Sequence, residues 1–314
     1  GSATCLNTGR EGGGFVSPTR GSRFGRIMSK SNPGRPPIPS SLPSPVVDSH
    51  CHLDVVDRHL RGSEEALGVA TALQRAASVN VTRVVQVGCD VVSSQWAASV
   101  ADEHESVIAA VALHPNDAAR LGVEEGLPAL AEAIEQIEGL LNSSRVRAVG
   151  ETGLDYFRTT EEGRPAQQES FRQHIELAKT YDKTLVIHDR DSHEDVIRIL
   201  LEQGAPDRVV FHCFSGDEQM ALTCAANDWY CSFAGVVTFP SAQPLRAALG
   251  ALPRQLVLVE TDAPYLTPVP HRGRVNASYL IPHTVEVMAA TRGETVDSLC
   301  EALWHNSMRA FGDW

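Results

Sequence analysis

From Val46 onward the chain repeats one rhythm: a short β-branched run, a polar or glycine-containing break, then a longer stretch with helical periodicity. The runs at 46–52, 83–88, 107–114, 146–151, 184–188, 208–213, 229–234 and 256–262 are candidate strands. Between them, 65–78, 93–103, 124–141, 166–181, 193–203, 217–226 and 242–250 carry amphipathic spacing, and two more helical segments, 282–291 and 295–311, follow the last run. Strands alternating with helices imply parallel β-α units, and eight such units can close a barrel of about 250 residues. The expected fold is therefore α/β, a single-domain (β/α)8 or TIM barrel over residues 46–314.

What stands at the strand ends is more telling than the number of strands. Six runs finish on an ionisable side chain: His52, His114, Glu151, His188, His212 and Asp262. In a barrel of this type the carboxyl ends of the strands build the active site, so these side chains would converge on one face. Strand alternation further groups Asp48, His50 and His52 on one side of the first strand, with Ser49 and Cys51 on the other.

Imidazoles and carboxylates crowded into one pocket repel or desolvate one another unless a cation joins them. A single zinc-like ion is satisfied by three or four protein ligands, whereas this pocket offers six, enough for two divalent ions if one carboxylate bridges. The expected assignment gives His50, His52 and Asp262 to one ion and His188 and His212 to the other, with Glu151 as the bridge. Asp262 is in addition a candidate base for a metal-activated water. Glu260, two positions before Asp262, is expected to orient a ligand from one layer deeper. Imidazole-rich donors favour zinc, although magnesium and manganese remain open.

The remainder of the chain limits the partners. Residues 1–27 begin Gly-Ser, lack an initiator and read as a vector-derived leader, with Met28 as a natural start. Residues 28–45 are rich in Pro and Ser and read as a flexible arm. The whole chain carries 27 Lys+Arg against 39 Asp+Glu, a net charge of -12, and the leader's four Arg and one Glu make the body more acidic still. Such a charge argues against a broad phosphate-tracking groove and confines nucleic-acid contact to short stretches aided by cations. No apolar run approaches the length that crosses a bilayer, and no G-x-x-x-x-G-K or G-x-G-x-x-G loop announces a nucleotide cofactor. Seven cysteines without a C-x-x-C pair indicate neither a disulfide framework nor a zinc knuckle, and a reducing cytoplasm fits them best.

Five blocks carry a family resemblance: Val47-Asp48-Ser49-His50-Cys51-His52-Leu53-Asp54, Gly150-Glu151-Thr152-Gly153-Leu154-Asp155-Tyr156, Ile187-His188-Asp189-Arg190-Asp191, His212-Cys213-Phe214-Ser215-Gly216 and Glu260-Thr261-Asp262-Ala263-Pro264-Tyr265-Leu266. In this order they resemble the successive signatures of TatD-type metal-dependent deoxyribonucleases, which belong to the amidohydrolase-like barrels. The resemblance implies a divalent-metal centre that requires magnesium for activity and hydrolyses DNA phosphodiesters, often from the 3′ end. For His114 it implies a group that contacts substrate or supports a ligand from behind, and a phosphate contact is the favoured reading over a metal ligand. Two segments depart from the family pattern. His114-Pro115-Asn116 stands where many members have His-Pro-His, and Arg272-Gly273-Arg274-Val275-Asn276-Ala277-Ser278 replaces a stretch that usually carries an acidic residue and a proline.

Arg190, directly after His188, could reach a phosphate with its planar fork, or could pair with Asp155 or Asp191. Arg272 and Arg274 could hold a phosphate at the rim, or be merely solvated. The expected partner is a DNA single strand or strand end. The alternative is a small-molecule amidohydrolase or lactonase using the same two-metal centre, and a barrel that has lost catalysis and binds a partner is a third possibility. Nothing in the sequence sets the oligomeric state.

Overall fold

The computed structural model describes residues 34–57 and 66–314. The expected leader at 1–27, the first residues of the arm and His59 lie outside the described residues.

Eight strands, β1 (Val46–Cys51), β2 (Val81–Val87), β3 (Val107–Val111), β4 (Val146–Asp155), β5 (Thr184–Arg190), β6 (Val209–Phe211), β7 (Tyr230–Phe233) and β8 (Val257–Val259), pair in parallel in chain order. The ends meet where Cys51 bridges Ala263, with Asp262 N–H donating to the His50 carbonyl at 2.9 Å and His52 N–H to the Ala263 carbonyl at 2.9 Å. Around the strands run α1 (Gly68–Ser78), α2 (Val91–Glu103), α3 (Pro115–Glu124), α4 (Leu127–Glu138), α5 (Arg164–Thr180), α6 (His193–Gln203), α7 (Glu218–Ala226), α8 (Gln243–Ala251), α9 (Ile281–Arg292) and α10 (Val296–Phe311). This is the expected (β/α)8 barrel, with each strand overlapping its β-branched run, although β3, β6 and β8 end at Val111, Phe211 and Val259, before the expected 114, 213 and 262, so that His114, His212 and Asp262 follow the strands rather than ending them. No described helix is long and apolar enough to cross a membrane.

Two apolar layers hold it together. Val47, Val85, Ile108, Ala110, Ala148, Val186, Val210 and Leu258 fill the interior at its amino-terminal end. Val46, Val84, Ala109, Val149, Leu185 and Ile187 point outward to the helices. Burial on both faces is what makes these strands read as continuous apolar runs rather than alternating ones.

The site strands break this alternation just before their functional residues. Val47 faces inward, and Ser49 follows it, bonding Ser232 of β7 at 2.8 Å; side chains from alternate barrel strands share interior layers in this way. Between Asp48 and Cys51 the β1–β2 register shifts, and His50 comes to face the site out of strict alternation. The expected grouping of Asp48 with His50 and His52 is thereby corrected. Asp48 instead accepts from Thr261 N–H at 2.9 Å, Thr261 Oγ1 at 2.6 Å and Ser278 Oγ at 2.7 Å.

In β4, Ala148 faces inward, the register with β5 shifts between Val149 and Thr152, and Glu151 faces the interior. Gly150 and Gly153 allow it. A Cβ on Gly150 would meet Val186 Cβ at 2.4 Å, and one on Gly153, whose φ is +132°, would meet the His188 carbonyl oxygen at 2.3 Å.

Three expectations need adjusting. β4 runs four residues past Glu151, pairing as far as Asp155 with Arg190. The expected helix 124–141 is α4 alone, set off by Gly126 at φ +90°, and α3 before it was missed because its opening His-Pro-Asn resembles a turn. The arm is not free over its described part, since it sits on the barrel. Leu42 is buried, and carbonyls of Gly34, Pro36 and Leu42 accept from Arg274, Tyr279 and Asn80. A Pro-rich segment loses little entropy on docking in an extended form.

Candidate metal centre

At the carboxyl ends of the strands one carboxylate stands between two groups of imidazoles. Glu151 Oε1 lies 3.5 Å from His50 Nε2 and 3.6 Å from His52 Nε2, while Oε2 lies 2.8 Å from His212 Nε2 and 3.2 Å from His188 Nδ1. Asp262 joins the first group, its Oδ1 3.3 Å from His52 Nε2 and 3.6 Å from His50 Nε2. The structure thus brings together all six residues expected at the strand ends or beside them as ligands.

The second ring nitrogen of each imidazole shows which nitrogen is available. His52 Nδ1 meets the Val87 carbonyl at 3.0 Å, His188 Nε2 meets Asp155 Oδ2 at 3.1 Å, and His212 Nδ1 meets Glu260 Oε2 at 3.1 Å. A carbonyl or carboxylate at one nitrogen fixes an N–H there and turns the other nitrogen toward Glu151, where a cation would find it. Glu260, fully buried, also accepts from Cys213 N–H at 2.7 Å, which holds its carboxylate in place.

His114 is oriented the opposite way. Its Nδ1 accepts the Asn116 N–H at 3.1 Å, so the proton of the neutral ring sits on Nε2, 3.9 Å from Glu151 Oε2. Burial pulls its pKa down to about 3. His114 is close enough to Glu151 and His188 to complete a ligand triple, but its tautomer makes it a hydrogen-bond donor.

Charge holds the cluster together. Burial alone would raise the Glu151 pKa, yet His212, His50 and His114 hold it well below the usual carboxylate value. Burial opposes charge on His212, and Glu151 and Glu260 overcome it and raise its pKa well above 6.5. Burial would also raise Asp155, but His188 and the Arg158 N–H bring it to about 2.

His50 tests whether cations fit. It is fully buried, stacked on His212 with centroids 3.8 Å apart, and neither of its ring nitrogens has a hydrogen-bond partner. A buried imidazole left unsatisfied is costly, and a cation at Nε2 would satisfy the nitrogen that faces Glu151 and Asp262. The cluster of buried His, Glu and Asp side chains is able to bind metal ions.

The rim residues divide. Arg190 lies over the exposed Phe157 ring at 3.9 Å, and Arg272 lies over Phe239 at 3.9 Å. Arg274 is a correction to its expected rim role, because it donates to the backbone carbonyls of Gly34 and Arg35 and so clamps the arm. The two departures from the family pattern have local roles as well. Asn116 Nδ2 meets Asp155 Oδ2 at 3.4 Å, and Ser278 supplies one of the donors to Asp48.

Sequence reasoning missed Asp155 and Cys89. Asp155 shares the face of Glu151 and Gly153 once β4 is extended, and Cys89 stands two residues beyond β2, at the level of the other strand-end groups.

Comparison with known proteins agrees with this geometry. Residues 47–312 match a family model described as TatD related DNase. Over 271 residues the chain is 41% identical to an uncharacterized metal-dependent hydrolase, TatD, of Mycobacterium tuberculosis, covering 85% of this chain and 98% of that protein. Over 276 residues it is 34% identical to the uncharacterized metal-dependent hydrolase YcfH of Escherichia coli, covering 85% and 95%. The structure of YJJV, a TatD homolog from Escherichia coli, is similar with a TM-score of 0.74 at 27% identity, covering 86% of this chain and 98% of that one.

Proposed function

Because the chain belongs to the TatD-related DNase family of metal-dependent hydrolases, we propose that it cleaves DNA phosphodiester bonds, working inward from a strand end, at a centre where His50, His52, Glu151, His188, His212 and Asp262 would hold two divalent ions. The observation that carries this reading is the split of one carboxylate, Oε1 toward His50 and His52 and Oε2 toward His188 and His212. Bound in pairs, divalent ions supply Lewis acidity toward a phosphoryl oxygen and make water a stronger nucleophile at neutral pH.

The chain's own residues supply the rest. Asp262, at the end of the first ligand group and partly open to solvent, takes the proton of the attacking water. His114 donates its Nε2–H to a non-bridging phosphate oxygen, a role its tautomer supports and a ligand role would forbid. Arg190 and Arg272 approach flanking phosphates from the rim, and their stacking on Phe157 and Phe239 holds the guanidinium planes in place. With a net charge of -12, contact limited to a strand end avoids the repulsion that a wrapped duplex would meet. The six cysteines among the described residues are all unpaired, which supports a reducing compartment.

The test is DNA shortening with added magnesium or manganese, compared between the parent and Glu151→Ala, beside turnover of a carboxylic ester. The proposal expects nucleolytic activity that falls to background in the variant while the fold survives. Equal cleavage by both proteins, or ester turnover in place of DNA cleavage, would overturn it.

A further inference from the structure

The thiol of Cys89 stands 3.5 Å from Glu151 Oε1, the oxygen that His50 Nε2 approaches at 3.5 Å and His52 Nε2 at 3.6 Å. The backbone aims it. Cys89 N–H donates to Ser93 Oγ at 2.9 Å, its carbonyl accepts from His114 N–H at 2.7 Å, and Asp90 caps α2 immediately after it. Gly88 permits the close turn, since a Cβ there would meet Ser94 at 2.5 Å. The neighbouring Cys51 differs, being fully buried with its Sγ 3.5 Å from the Val85 carbonyl. The second, independent pointer is His50, buried and without a hydrogen-bond partner, whose Nε2 faces the same oxygen of Glu151.

We propose that Cys89 supplies a sulfur donor to the cation held by His50 and His52, biasing that side of the centre toward soft, zinc-type ions. The inference rests on the two-metal reading above. A thiolate discriminates strongly between zinc and magnesium, which carboxylate and imidazole alone do less well. On ligation the S–H bond is replaced by a sulfur–metal bond and one proton passes to solvent; no electron is transferred. The Cys89 thiol meets Oε1 of Glu151, while His188 and His212 approach Oε2, so the two positions would differ in metal preference.

Cobalt(II) added to the chelator-stripped full chain tests this by absorption. Imidazole and carboxylate ligation gives visible d–d bands, and thiolate ligation adds a near-ultraviolet charge-transfer band. The expected result is both bands in the parent and in Cys213→Ser, with the charge-transfer band lost and the d–d bands kept in Cys89→Ser. Zinc affinity should fall at least about tenfold in Cys89→Ser, with magnesium affinity unchanged. A charge-transfer band that persists in Cys89→Ser, or d–d bands without it in the parent, overturns the role of Cys89 alone. Absence of any cobalt absorption overturns the metal centre itself. Alkylation of the parent followed by peptide mapping does not depend on the variants folding. Zinc should protect Cys89 where magnesium does not, and equal labelling with and without zinc contradicts the proposal.

Discussion

A single hydrogen bond decides which nitrogen each histidine offers. Glu260 holds the Nδ1–H of His212, so Glu260→Gln should weaken metal affinity by about 10- to 100-fold, read by competition with a chromophoric chelator, while the amide oxygen keeps the Cys213 N–H partner. His114, held by Asn116 in the donor tautomer, should behave otherwise. His114→Phe should lower kcat on DNA by about 100-fold and leave metal content unchanged, the size expected for losing one donor to transition-state charge. A fall in bound metal in that variant would make His114 a ligand. At this scale the sequence showed which residues carry chemistry better than how they face. Strand-end placement pointed to the six residues grouped around Glu151. Strict alternation misplaced Asp48, because a register shift of one residue in β1 is not encoded in any pattern of period two. Cys89 escaped notice because a thiol two residues past a strand does not stand out as an ionisable group does.

Elements bring these residues into register through close approach and buried clasps. β4 and β5 touch so tightly at Gly153 that Gly153→Ala must displace the backbone at His188, since the added Cβ would lie 2.3 Å from its carbonyl oxygen. The expected cost is about 1–3 kcal/mol in a urea titration, together with a larger loss of hydrolysis than the stability change explains. Helix α5 clasps the end of β3 through His174, whose Nε2 accepts the Leu113 N–H at 3.2 Å while Nδ1 meets the Ser170 carbonyl at 2.7 Å. Burial, only partly opposed by Ser170, lowers the pKa of His174 from 6.5 to about 4. Between those values the unfolded chain holds the proton and the folded one does not. This contribution to stability is therefore complete above about pH 6.5 and is lost as the pH falls toward 4, by on the order of 3 kcal/mol. His174→Gln should flatten that part of the stability–pH curve, and an unchanged curve would assign the acid sensitivity elsewhere. The eight strands were legible because burial on both faces enriches each in β-branched residues. Helix α3 was not, because its signal is carried by a histidine cap and a proline at its first turn, both of which also mark turns.

The whole molecule is acidic, with a net charge of -12, which sets how it can meet a polyanion. If Arg190 and Arg272 are its two phosphate contacts, the logarithm of affinity for single-stranded DNA should fall with the logarithm of salt with a slope of about −1.4, and Arg190→Ala should reduce that slope by about 0.7. A steep slope of many units would reveal a broad basic groove that the charge distribution does not suggest. The closed barrel was legible from the rhythm of strands and helices alone, whereas docking of residues 34–45 depended on distant donors in Arg274, Tyr279 and Asn80 that no local pattern announces. The account turns on one carboxylate shared by two cations, and manganese loading tests it most directly. Elemental analysis with electron paramagnetic resonance should find two manganese ions per chain with the spectrum of an exchange-coupled pair, and coupling should vanish in Glu151→Ala. One uncoupled ion per chain in the parent, or coupling that survives without Glu151, would contradict it.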